Sequence, residues 1–217
     1  MKFKAVIFDM DGVIFDSERA SFLAWKELSE KYGFTENFDA NYYSIIGTNR
    51  DLNRKVFRDY YGADFPFDKY EDEKQEMCRE RYSHGRMPKK TGVIEILEYL
   101  KGEGIYTAVA SSTYSNIVTT LMDEAGLRDY FSLIVGGDMI TRCKPDPEIF
   151  LKAIEGTGLV PADCAVIEDS YNGVRAAHAA GMFPIMVPDM LPPTDEMKEK
   201  AGIILPDLIA VQEFLKQ

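Results

Sequence analysis

The sequence predicts an α/β fold: a mostly parallel sheet with helices on both faces, interrupted after its first strand by an inserted α-helical domain. Two observations carry this. Short apolar runs of strand length alternate with helical patterns over most of the chain, an order that folds as strand–helix–strand units. Between about Ser17 and Tyr82 the alternation stops, and helical patterns stand there without a convincing strand.

In chain order, Ala5–Phe8 (AVIF) is the first run, closed by Asp9. The insertion follows. Phe22, Trp25, Leu28 and Tyr32 share one helical face, ended by Gly33. Leu52, Val56, Phe57 and Tyr60 share another, ended by Gly62, and a third helix spans Lys69–Tyr82. Trp25 and the tyrosines of this segment are expected to form its core. The sheet resumes near Met87-Pro88, so residues 1–16 and 86–217 make one domain and 17–85 the other. Val93, Ile96, Leu97 and Leu100 form a helix face ended by Gly102 and Gly104, before the strand Tyr106–Ala110. Ile117, Val118, Leu121, Met122 and Ala125 repeat the pattern up to Gly126, before Leu133–Val135. Asp146 and Pro147 read as N-cap and first position of a helix carrying Ile149 and Phe150. Ala165–Ile167 and Pro184–Val187 are the last two strands. Between them Gly173, Ala176, Ala177, Ala180 and Gly181 make a small-residue helix face suited to close packing.

Composition narrows the function. With 217 residues and 46% hydrophobic content the chain can bury a real core. Its net charge of −11 argues against nucleic acid and against an anionic membrane surface. Cys78, Cys143 and Cys164 are scattered, odd in number and without a CxxC pair, which suits thiols in a reducing compartment. No stretch reaches the roughly 18–20 apolar residues of a membrane span, and the N-terminal apolar run is too short for a signal-peptide core. A soluble cytoplasmic protein is expected; its oligomeric state is not written in these features.

Ligands of open parallel sheets bind beyond the carboxyl ends of the strands. Asp9 and Asp11 follow the first strand, and Ser111, Ser112 and Thr113 follow Tyr106–Ala110. Gly136-Gly137-Asp138 follow Leu133–Val135, with Lys144 a few residues on, and Glu168, Asp169 and Ser170 follow Ala165–Ile167. Asp9, Asp11, Glu168 and Asp169 would repel one another unless a cation neutralised them. Carboxylates with no histidine or thiol nearby suit Mg²⁺ rather than Zn²⁺. Mg²⁺, a lysine, hydroxyl donors and a spare carboxylate together fit a phosphate group, with the spare carboxylate able to attack phosphorus.

These residues resemble the motifs of the haloacid-dehalogenase superfamily, close to its β-phosphoglucomutase-like phosphatases. Asp9-Met10-Asp11-Gly12-Val13 is similar to the nucleophile motif and Ser111 to the hydroxyl motif. Lys144-Pro145-Asp146-Pro147 is similar to the lysine motif, and Glu168-Asp169-Ser170 with Asn172-Gly173 to the acidic motif. The four motifs appear in order over essentially the whole chain. The resemblance implies a Rossmann-like core with an α-helical cap and a small phosphorylated metabolite, a sugar phosphate, as substrate. It implies Asp9 as nucleophile and Asp11 as general acid–base. It also implies Mg²⁺ on Asp9, the Asp11 backbone carbonyl and Asp169, with Glu168 behind them. Ser111, Ser112 and Lys144 would hold the phosphoryl group. In the insertion, Arg50, near Gly47-Thr48-Asn49, is the candidate substrate-binding residue, and Asp16 and Glu18 stand at the hinge or entrance.

Four other readings are weighed. A sugar-phosphate mutase of the β-phosphoglucomutase type shares every motif, but the histidine those mutases carry in their first cap helix is Ser21 here. A phosphoacceptor signalling module also gathers acids, a hydroxyl and a lysine at sheet ends, but it is about half this length and has no insertion. A dehalogenase would not need Asp11. A calcium loop at Asp9–Asp11 is excluded by the apolar Val13-Ile14-Phe15 that follows. His84 and His178 are expected to take no part in catalysis.

Overall fold

The computed structural model describes residues 3–46, 48 and 50–217. Its centre is a six-stranded parallel sheet in the order β3-β2-β1-β4-β5-β6. The strands are β1 (Ala5–Phe8), β2 (Tyr106–Ala110), β3 (Leu133–Val135), β4 (Cys164–Glu168), β5 (Phe183–Met186) and β6 (Ile203–Ile204). The fifth strand sits one residue earlier than Pro184–Val187 predicts, and the two-residue β6 went unseen by pattern.

The strand alternation sorts the core onto two faces. Val6 and Phe8 of β1 point to one side and join Ile96, Leu97, Val118, Met122 and Val211. They are covered by α5 (Val93–Gly102), α6 (Ser115–Glu124) and α10 (Leu208–Leu215). Ala5 and Ile7 point to the other side and join Ile149, Phe150, Ala176 and Ala177, from α7 (Glu148–Ala153) and α8 (Tyr171–Ala179). Ala176, Ala177 and Ala180 of the small-residue face pack here as expected, whereas Gly181 is exposed. α9 (Asp195–Lys200) adds Met197 to a smaller cluster with Val174 and Met186.

Four helices follow β1: α1 (Ser17–Tyr32), α2 (Phe38–Tyr43), α3 (Arg50–Tyr61) and α4 (Phe67–Tyr82). Three match the predicted helices, with α4 starting two residues early; α2 was not predicted. They enclose an aromatic cluster of their own. Trp25 stacks on Phe67 at 5.5 Å and lies 4.8 Å from Phe57, with Phe34, Phe38, Tyr42 and Phe65 around them. Trp25 is therefore core, as expected, and its indole donates to Glu71 at 3.2 Å. The α3 stripe is partly corrected: Phe57 is fully buried, whereas Leu52 and Tyr60 are more than 40% exposed.

The two linkers between insertion and sheet run side by side. Asp16 N donates to Pro88 O and Lys90 N to Ile14 O, each at 2.9 Å, with a bridge between Phe15 and Lys89. Among the described residues no helix is long and apolar enough to cross a membrane. Cys78, Cys143 and Cys164 are free thiols.

Candidate active site

The strand order turns at β1, which has β2 on one side and β4 on the other. Phe8 stands opposite Val109 and Ile167, so Asp9, Ala110 and Glu168 leave the sheet at one level. Asp9 N donates to Ile167 O at 3.0 Å. This is the switch point of an open α/β sheet, where ligands bind.

Lys144, reaching in from the loop after β3, ties the strand ends together. Its Nζ donates to Asp9 Oδ1 at 2.5 Å, Glu168 Oε1 at 2.6 Å and Ala110 O at 3.1 Å. All three side chains are nearly or fully buried. Burial lowers the ammonium's pKa, but the Asp9 and Glu168 carboxylates more than offset it, and Lys144 stays firmly protonated. Burial pushes the Asp9 carboxyl well up; Lys144 opposes the shift, and Glu168 and Asp11 add to it. Lys144 occupies only Oδ1, and among the described residues no donor reaches Oδ2 of Asp9.

Asp11 is held by three hydroxyls. Ser17 Oγ donates to Oδ1 at 2.7 Å, while Ser111 Oγ and Thr113 Oγ1 donate to Oδ2 at 3.2 and 3.0 Å. Thr113 N closes the turn by donating to Ser111 Oγ at 3.0 Å. Ser17 opens α1, so the insertion touches the site directly. Neither Ser17 nor Thr113 stood among the predicted site residues. Both hydroxyls lie within six residues of a predicted one, and that adjacency was the available signal.

Asp169 lies against the backbone at Gly12. Gly12 has φ +77, and a Cβ there would sit 2.3 Å from Asp169 Oδ2. Glycine is thus required both by conformation and by space. Burial raises the Asp169 carboxyl well above its ordinary range, followed by the charges of Glu168, Asp9, Glu18 and Asp189. Among the described residues nothing donates to it. Glu168 turns the other way. Its Oε2 accepts from Ser170 N and Oγ at 2.9 Å each, and Ser170 caps α8. A Cβ on Gly173 would overlap the Glu168 carboxylate at 1.8 Å. Gly173, expected to serve helix packing, instead makes room for this side chain.

The donor set fits Mg²⁺. Among the described residues no three His, Cys, Asp or Glu side chains form a ready cage. Mg²⁺ asks for less: one or two carboxylates and retained waters. The Asp169 carboxylate, pressed on the backbone at Gly12 and without a donor among the described residues, supplies that with Asp9 nearby.

The remaining predicted residues stand further out. Ser112 is exposed, with its carbonyl packed on Gly137. Arg50 opens α3 and pairs with Asp68 and Asp72 of α4 at 3.1 and 3.0 Å; its expected neighbours Gly47 and Asn49 lie outside the described residues. Glu18 is half-buried, and its carboxyl is pushed up to about 7 by burial first and by Asp11 second. His178 is exposed and His84 sits in the return linker. A surface cavity lined by Phe3, Val6, Tyr99, Ile105 and Leu215 has none of the strand-end acids in its wall.

The model of the haloacid dehalogenase-like hydrolase family matches residues 6–187. The chain belongs to this family. Among its relatives, a phosphorylated carbohydrates phosphatase of Thermotoga maritima is 33% identical over 82% of each chain. The β-phosphoglucomutase of Bacillus subtilis is 36% identical over 85% of this chain and 83% of its own. A crystal structure from Thermotoga maritima, provisionally assigned as a β-phosphoglucomutase, superposes with TM-score 0.80 at 30% identity. It covers 100% of this chain and 99% of its own. The chain is thus an α/β hydrolase of the haloacid dehalogenase type, as its motifs predict.

Proposed function

We propose that the chain is a Mg²⁺-dependent phosphatase of a small phosphorylated metabolite, a sugar phosphate, working through an aspartyl-phosphate on Asp9. The observation that carries this reading is the Lys144 bridge. It holds Asp9 by one oxygen and leaves the other free at the switch point, beside an acid, Asp11, clamped by hydroxyls. Asp9 Oδ2 attacks phosphorus, and the bond from phosphorus to the ester oxygen breaks. Asp11 gives that oxygen its proton, then takes one from water as the water attacks phosphorus and releases Asp9 and inorganic phosphate. Lys144 and Ser111 hold phosphoryl oxygens, and Arg50 and Ser112 are assigned to binding the substrate. Mg²⁺, held by Asp9, Asp169 and the Asp11 carbonyl, would neutralise charge on the phosphoryl group. Residues 17–85 act as a lid domain over residues 1–16 and 86–217.

The likeness to a β-phosphoglucomutase favours a second reading, a mutase. Such an enzyme must keep the aspartyl-phosphate from water while the sugar turns. Ser21 lies beside the buried Tyr42 hydroxyl and cannot offer Asp11 the titratable contact of a histidine. Hydrolysis is therefore expected to win. The test is product analysis with Mg²⁺ and a panel of sugar phosphates, including β-glucose 1-phosphate with a bisphosphate primer. Inorganic phosphate should dominate, and Asp9→Asn should lower turnover on the order of 10³-fold or more. Rapid primer-dependent glucose 6-phosphate would select the mutase, and an active, folded Asp9→Asn protein would remove both.

A further inference from the structure

Asp189 belongs to none of the four motifs. It stands in the loop after β5, two residues beyond Val187, whose N–H donates to Glu168 O at 2.8 Å. Val187 is therefore level with the end of β4, and Asp189 follows at the edge where Asp169 stands. Its side chain is 3% exposed, and Oδ1 receives Lys90 Nζ at 2.6 Å. Oδ2 is buried and has no hydrogen-bond partner among the described residues.

A buried carboxylate oxygen without a donor is costly, and such atoms are normally satisfied, often by ordered water. Lys90 is already committed to Oδ1, and its other close partner is Asp16 Oδ1 at 3.5 Å. Asp189 acts electrostatically on two further acids, Asp169 and Glu18, and Lys74 acts on Glu18 as well. A water placed there meets acceptors and gives its hydrogens to carboxylates. Its oxygen then needs a cation. A water in the shell of Mg²⁺ meets that demand, because this ion dehydrates reluctantly and keeps several waters.

We propose that Asp189, oriented by Lys90, is a positioning residue for the metal: its free Oδ2 accepts a hydrogen bond from a water in the hydration shell of the Mg²⁺ held by Asp9 and Asp169. The inference rests on the Mg²⁺ site proposed above. Such outer partners set the geometry and affinity of a metal site although they never touch the ion.

Calorimetric titration of the full chain with Mg²⁺, without substrate, tests it. Asp189→Asn can keep an acceptor toward Lys90 and place an amide where the water's acceptor was. It should weaken Mg²⁺ roughly 10–100-fold. Asp16→Asn removes the same charge from the same lysine and should change the affinity by less than about threefold. Equal affinity in Asp189→Asn and the parent overturns the proposal, as does an equal loss in Asp16→Asn, which would leave only a general charge effect. Should the parent itself fail to bind Mg²⁺, the metal reading falls and this one falls with it, an outcome distinct from a failure at Asp189 alone. A crystal structure of the Mg²⁺-loaded parent decides without any variant. A shell water on Asp189 Oδ2 supports the proposal; a protein donor there refutes it.

Discussion

Asp11 collects hydroxyls from three places in the chain: Ser17 in the insertion, and Ser111 and Thr113 after β2. That convergence puts Glu18, the next residue of α1, close to a second carboxylate. Burial and Asp11 hold its folded pKa at about 7, above the ordinary 4.5. The folded state therefore keeps a proton that the unfolded chain releases between these values. Stability from this group is retained at low pH and lost as pH rises from 4.5 through about 7. In metal-free protein, Glu18→Gln should raise the melting temperature at pH 8 by about 2–4 °C, roughly 1 kcal/mol for a chain of this size. At pH 4.5 the gain should be much smaller. Calorimetric melts at the two pH values check this, and an equal gain at both would show that Glu18 ionises normally. At this scale Asp9, Asp11, Lys144 and Asp169 were legible because each directly follows a strand or stands in a short motif. Thr113 was visible only as one of three strand-end hydroxyls, since 102 residues separate it from Asp11; Ser17, six residues from Asp11, reads as the start of a helix, and Asp189 stands in no motif.

The insertion's helices are held by rings more than by propensity. Phe57 of α3 is fully buried, and its ring lies 4.8 Å from Trp25 of α1 and 5.4 Å from Phe67 of α4. Phe57→Ala should cost about 3–5 kcal/mol through lost burial and the cavity left behind. The chain has a single tryptophan, so Trp25 fluorescence follows this cluster, and its denaturation midpoint in urea should fall clearly. An unchanged midpoint would show that the rings do not hold the helices together. Element type was readable wherever an apolar period repeated, as in α1 and α5. β6 has only two residues, Ile203 and Ile204, too few to show a period. α2 spans six residues, so its helical repeat completes fewer than two turns. The outer face of α3 shows the limit of the method: Leu52 and Tyr60 fit an apolar stripe, yet both face outward, because burial depends on which neighbour arrives.

For the whole molecule, the two linkers are the points about which the proposed lid would turn. His84 and Gly85 in the return linker have φ of 59 and 73, and Gly85 N donates to Glu124 Oε2 at 3.3 Å. The outgoing linker carries Asp16 and the Ser17–Asp11 bond. A ligand that takes over Asp11 competes with Ser17, so binding at the sheet and the position of α1 are coupled. Small-angle scattering with Mg²⁺ and a non-hydrolysable phosphate analogue should give a smaller radius of gyration than the free protein. Identical profiles would count against lid closure.

The same pair of linkers has another consequence. The chain leaves the sheet and returns to it through one doorway, where Asp16 N meets Pro88 O and Lys90 N meets Ile14 O. Whatever is built outside that doorway alters neither the spacing of β1 from β2 nor the register that sets Asp9 beside Glu168. Inserts of other lengths and shapes could hang from the same two residues without disturbing the strands. A lineage using this architecture could change the compounds it admits while inheriting its reactive carboxylates intact.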